Sequence, residues 1–171
     1  LARKGLILAQ LGRTDMAFAA VEAACCNPTG NRFAADLVLG LRAASGNRVA
    51  LESIANDAGG SAWDTSQRAQ ALIAMRNLPA ALQAYTENPP DPRGALKDLV
   101  NDEWVWRLPH VVNHAHLRIA AGDEHGRDAL HELVARTVEL RAEGIVNVDA
   151  LYWVASAHAV MSENERALEL L

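Results

Sequence analysis

Residues 5–24 read GLILAQLGRTDMAFAAVEAA, and this stretch decides the fold. Leu8 and Leu11 lie one helical turn apart, Gly12-Arg13-Thr14 interrupts, and Met16, Ala20 and Ala23 resume the same period. The pattern predicts two short amphipathic helices joined by a tight turn. It recurs along the chain. Leu37 and Leu41 precede Ser45-Gly46-Asn47, and Leu51 and Ile54 follow it. Leu72 and Met75 lead into Arg76-Asn77, with Leu82 and Tyr85 beyond. Val111, Val112 and Ile119 stand before Ala121-Gly122-Asp123, and Leu130 and Leu133 after it. Leu151 and Val154 stand before Ser162-Glu163-Asn164, with Leu168 and Leu171 behind. Pro79 falls in the first turn of its helix, where its missing N–H costs nothing. A single helix pair cannot bury its apolar face, whereas stacked pairs can.

The spacing of the units strengthens this reading. The small residue early in each second helix is Ala17, Ala50, Ala81, Ala129 and Ala167, at intervals of 33, 31, 48 and 38 residues. A common helix-pair repeat has a period of about 34. The long interval requires an insertion, placed at 89–108, which opens on Pro89-Pro90-Asp91-Pro92 and offers an extra helix around Gly94 to Asn101. The units are then 1–28, 31–58, 62–88, 109–141 and 148–171. Composition agrees. Half of the 171 residues are apolar but only 5% aromatic, with 33 Ala and 22 Leu, a mixture that favours helix over strand. The expected architecture is all-α: a superhelical solenoid of about five antiparallel helix pairs in a single domain.

In this arrangement the chain resembles the tetratricopeptide repeat family. The first unit carries the likeness best: Gly5, Leu8, Gly12, Ala17, Val21 and Ala24 match the small and large positions in order, with Pro28 one residue early. In the last unit Ala155, Ala167 and Leu171 fit, and Ser162 replaces the turn glycine. The third contributes Ala69, Leu72, Ala81 and Tyr85; the second and fourth keep Gly46 and Gly122 but are otherwise degenerate. The resemblance implies a non-catalytic scaffold whose first helices line a concave groove for a peptide or helix. Projected onto this chain, that lining is Leu6, Gln10, Leu39, Arg42, Gln70, Ile73, His116, Ile119, Tyr152 and Ser156. Some members grip a C-terminal carboxylate with Lys and Asn side chains. The matching positions here are Ala2, Leu6 and Ala35, which argues against that ligand. Similar repeats sit beside signalling domains in bacterial proteins, which implies a regulatory part of a larger bacterial polypeptide.

Other chemistry is sparse. His110 and His114 share a helical face, as paired metal ligands would, and His116 points elsewhere. Val111 follows His110 and Ala135 stands four after His131, so neither segment makes the zinc-protease signature. A metal- or small-ligand-binding domain using His110, His114 and His116 is the rival reading; self-association through the terminal repeat, giving a homodimer, is another. Trp104 and Trp106 are two apart and do not share a helical face. Trp63 before Asp64 and Gln67 reads as a hydrophobic staple beside a cap, and Ser162 with Glu165 as a capping box. Phosphate loops and nucleophile elbows are absent, so no catalytic residue and no cofactor is expected.

Net charge of −5 opposes a nucleic-acid partner, which calls for a basic face. Cys25 and Cys26 are adjacent and cross-link nothing. No apolar run is long enough for a membrane span, and no secretory signal is evident. These features suggest a cytoplasmic protein. The absence of an initiator Met and the apolar run at the end read as a fragment of a longer polypeptide.

Overall fold

The computed structural model describes residues 2–25, 32–56, 62–100, 107–144 and 148–170, and within them eleven helices and no strand. These are α1 (Ala2–Gln10), α2 (Thr14–Cys25), α3 (Arg32–Ala44), α4 (Arg48–Ala55), α5 (Ala62–Ala74) and α6 (Leu78–Glu87). They are followed by α7 (Pro92–Val100), α8 (Arg107–Ala120), α9 (His125–Ala142), α10 (Val148–Val160) and α11 (Asn164–Glu169). The all-α class and the extra helix of the insertion, α7, are therefore present. The chain forms two compact units, Leu1–Ala84 and Tyr85–Leu171.

One turn recurs five times. Gly12, Gly46, Arg76, Gly122 and Ser162 all adopt positive φ, between 63° and 83°. In each case the backbone closes the same pair of bonds. Gly12 N–H donates to Ala9 O at 3.0 Å and Arg13 N–H to Leu8 O at 2.9 Å. At the last turn, Ser162 N–H donates to Ala159 O at 3.0 Å and Glu163 N–H to His158 O at 2.9 Å. This double bond pattern satisfies carbonyls that a helix end leaves without partners. Glycine suits it because a Cβ in the left-handed region crowds the following carbonyl. The next residue then opens the second helix. Asn47 Oδ1 accepts from Ala50 N–H at 3.1 Å, and Asp123 Oδ1 accepts from His125 N–H at 3.0 Å.

The expected capping box is not formed. Ser162 is held at φ 67° as the stop of α10, Glu163 takes the N-cap position of α11, and no side chain caps that helix. The turn is too short for one residue to end one helix and cap the next. Likewise Asp64 lies inside the first turn of α5 rather than before it, and Gln67 donates instead to Asp36 on α3.

Close packing follows the small residues. In unit one, Gly5 on α1 meets α2 so tightly that a Cβ there would overlap Val21 Cγ2. Its partner Ala17 is fully buried. Ala69 with Ala81, and Ala155 with Ala167, are buried at the same sequence separation. Ala50 and Ala129 are only half-buried. In the fourth pair the close approach is made by Gly126, where a Cβ would lie 2.6 Å from Ala115 O. Leu8, Val21, Ala24, Val38 and Leu41 pack as one cluster of unit one. In unit two, Leu108, Val111, Val112, Leu130, Leu133 and Leu140 form the centre, with Trp153 against it.

Candidate functional site

Within unit one, α1 packs on α3 and α3 on α5; within unit two, α8 packs on α10. The helices predicted to share a lining are thus neighbours inside each unit. On them Gln10 is exposed, and Arg42, Gln70 and Ile73 are half-buried. Leu39 is 3% exposed, so a ligand on this face would meet its neighbours rather than Leu39 itself. The side chain of Leu6 lies outside the described residues. In unit two His116 is exposed and Ile119 half-buried on α8. Tyr152, 55% exposed, stands on α10 with half-buried Ser156, whose hydroxyl donates to Tyr152 O at 2.9 Å. Tyr152 meets Trp153 edge-on with ring centres 5.1 Å apart. Trp104, Trp106 and Cys26, and the side chains of Cys25 and Trp63, lie outside the described residues.

The histidines separate by environment. His110 is 1% exposed, with Nδ1 at 3.2 Å from the Tyr85 hydroxyl, and burial pushes its pKa down to about 4. His114 lies against the Tyr85 ring at 5.4 Å and is also lowered, by burial first and by the Arg118 charge next. Both are therefore neutral at physiological pH and belong to the packing around Tyr85, while His116 faces solvent. Among the described residues no three His, Cys, Asp or Glu side chains converge as a metal-ligand set.

Two side-chain bridges staple the turns of unit two. Arg118 reaches Asp123 with Nε and Nη2, each at 2.7 Å, and this hydrogen bonding holds the Asp123 carboxyl below its ordinary range. His158, 7% exposed, places Nδ1 at 2.7 Å from Glu163 Oε2, which Arg166 also approaches at 3.3 Å. The His158 contact is the main reason that the Glu163 pKa falls. In unit one, burial pushes Asp36 up to about 7, against the hydrogen bond from Gln67 that lowers it.

Unit two also carries two concavities that were not foreseen. One, of about 450 Å³, lies between α7 and α9, with Arg93 and Lys97 on one wall and Glu132, Arg136 and Glu139 on the other. Arg136 is engaged by Glu139 at 2.6 Å and by Glu143 at 3.6 Å, so the cleft has no single sign of charge. The other, of about 400 Å³, is a trough between α9 and α11 floored by α10. Val134, Val138, Leu151, Val154 and Leu170 line it, with Arg141, His158, Arg166 and Glu169 among the polar groups. The sequence held one signal of it: α9 bears a second apolar stripe, Val134 and Val138, beside the buried Leu130, Leu133, Thr137 and Leu140.

No known family matches the chain, and neither a curated protein nor a solved structure does so.

Proposed function

We infer that this chain is a non-catalytic protein-interaction module, built of antiparallel helix pairs stacked in the solenoid manner of tetratricopeptide repeats. Each unit binds a peptide or helical segment on the face made by its first helices. The observation that supports this most is the contact order inside the units. Each first helix packs on the next first helix, and the second helix of a pair also meets that next one: α2 on α3, α4 on α5, α9 on α10. Such stacking leaves one face of every first helix open to a ligand. The open positions mix apolar groups, Ile73 and Tyr152, with polar ones, Gln10, Arg42 and His116. Apolar anchors give affinity and polar groups fix register.

The test is a displayed library of random peptides selected on the wild-type chain. Recovered peptides are titrated against Arg42→Glu/Gln70→Glu for unit one and Tyr152→Ala for unit two, both checked for native helicity by circular dichroism. Loss of binding in one of these variants supports the reading. Peptides that bind both as tightly as wild type, or a selection that enriches nothing, overturn it.

A further inference from the structure

The turns of unit one set a common register for its first helices. Seven places before the left-handed residue of each turn stand Gly5, Leu39 and Ala69, and all three are buried. One place later stand Leu6, Gly40 and Gln70, on the face assigned above to the ligand. A turn before those come Ala2, Asp36 and Ser66. Asp36 alone among these six is charged.

Asp36 is half-buried, and Gln67 Nε2 on α5 donates to its Oδ1. Its Oδ2 accepts from no group among the described residues, yet it is not closed off from solvent. The helices packed against α3 are α1, α2, α4 and α5. Their charged side chains are Lys4 on α1, Asp15 and Glu22 on α2, Arg48 and Glu52 on α4, and Asp64 and Arg68 on α5. Among the described residues none of these forms a hydrogen bond or ion pair with Asp36, and Arg48 is taken by Glu52. Burial raises the Asp36 pKa to about 7, and the Gln67 hydrogen bond only offsets part of that. A carboxylate partly withdrawn from water without a cation weakens the fold, and such groups gather where a ligand supplies the opposite charge. The surface next to it is open. A Cβ on Gly40 would meet nothing within 4 Å, and Ala43 and Ala44 continue the row with small side chains. From Asp36 to Gly40 is about 6 Å along the helix axis, length enough for an aliphatic stem to lie flat.

We propose that Asp36 binds a lysine side chain of the peptide held by unit one, with the ammonium on Oδ2 and the stem laid across Gly40. This rests on the first-helix reading above and adds the chemistry of its ligand. Lysine fits better than arginine. Gln67 already occupies Oδ1, so a two-pronged guanidinium finds one oxygen engaged, whereas an ammonium needs only the other. The pairing needs the ionised carboxylate. With a pKa of about 7, the ionised fraction rises from about a tenth at pH 6 to about nine-tenths at pH 8. Affinity for the lysine peptide should therefore rise about tenfold over that range, because only the ionised fraction binds.

The experiment uses the full chain and pools of short fluorescently labelled peptides, random except for a fixed central Lys, Arg or norleucine. Anisotropy at pH 8 should show the lysine pool binding about tenfold more tightly than the norleucine pool, with the preference fading at pH 6. Asp36→Asn keeps the shape and removes the charge, and it should abolish both the preference and its pH dependence. Gly40→Phe leaves the carboxylate but fills the space beside it, and should weaken the lysine pool about tenfold. Glu22→Gln makes the same change of net charge on the exposed side of α2 and should alter neither result. Thermal melts check that each variant is folded. The proposal is overturned if norleucine or arginine pools bind wild type as tightly as lysine, or if the lysine preference survives Asp36→Asn. Loss of that preference in Glu22→Gln overturns it too, since the attraction would then be that of the whole acidic chain. Binding without a lysine preference defeats this inference alone; no binding by any pool defeats the first-helix reading with it.

Discussion

Ser162 and Arg76 occupy the left-handed position that Gly12, Gly46 and Gly122 fill elsewhere. A side chain there costs about 1–2 kcal/mol, while glycine costs about 0.5–1 kcal/mol through its freer unfolded chain. Ser162→Gly is therefore expected to stabilise unit two by up to about 1 kcal/mol, read as a higher urea midpoint at unchanged slope. A lower midpoint would mean that the serine makes a compensating contact. Tyr85→Phe removes the hydroxyl that meets His110 at 3.2 Å and should cost about 1 kcal/mol in the same measurement. Asp36 tests the opposite unit. Its folded pKa, about 7, is above the ordinary 3.8, so the folded state favours the proton. Unit one is thus stabilised by this group below pH 3.8 and loses that contribution as pH rises to about 7. Asp36→Asn should remove the slope and stabilise the protein at pH 8 by about 1–3 kcal/mol, checked by thermal melts across that range.

Among the elements, small residues divide into those that allow contact and those that merely weaken a helix. Gly126 allows α9 to approach α8, and a Cβ there would lie 2.6 Å from Ala115 O and 2.9 Å from Ile119 Cγ1. Gly126→Ala should destabilise by about 1–3 kcal/mol although alanine is the better helix former. Gly40, inside α3, has nothing within 4 Å of its Cβ position, and Gly40→Ala should stabilise by about 0.5–1 kcal/mol. Denaturant melts of the two variants check the opposite signs. The turns were legible from sequence because three of the five carry glycine at the left-handed position, and apolar periodicity located the other two. Gly126 was not, since Ala129 offers another small side chain one turn later and only the approach of α8 selects between them. The motif Ser162-x-x-Glu165 misled because it is the same for a residue that starts α11 and for one that stops α10.

At the scale of the whole chain, the two units respond oppositely to acid. Asp36 favours low pH in unit one. In unit two His110, lowered from 6.5 to about 4, keeps its full contribution above 6.5 and loses it as pH falls towards 4. Residue-resolved hydrogen exchange between pH 4 and 6.5 should therefore show α1–α3 tightening as pH falls while α8–α9 loosens, after correction for the intrinsic exchange rate. The first-helix face was open to sequence reasoning because helical projection places Arg42, Gln70 and Tyr152 without tertiary knowledge. The burial of Leu39 was not, and neither was the trough, since it depends on how α9, α10 and α11 pack together.

The claim that the first helices carry the binding surface is tested most directly by amide chemical-shift mapping. The isotopically labelled chain would be titrated with the tightest peptide from the display selection. The account predicts shifts concentrated on α1, α3 and α5, or on α8 and the Tyr152 face of α10. Shifts confined to α2, α4 and α9, with the first helices silent, would contradict it.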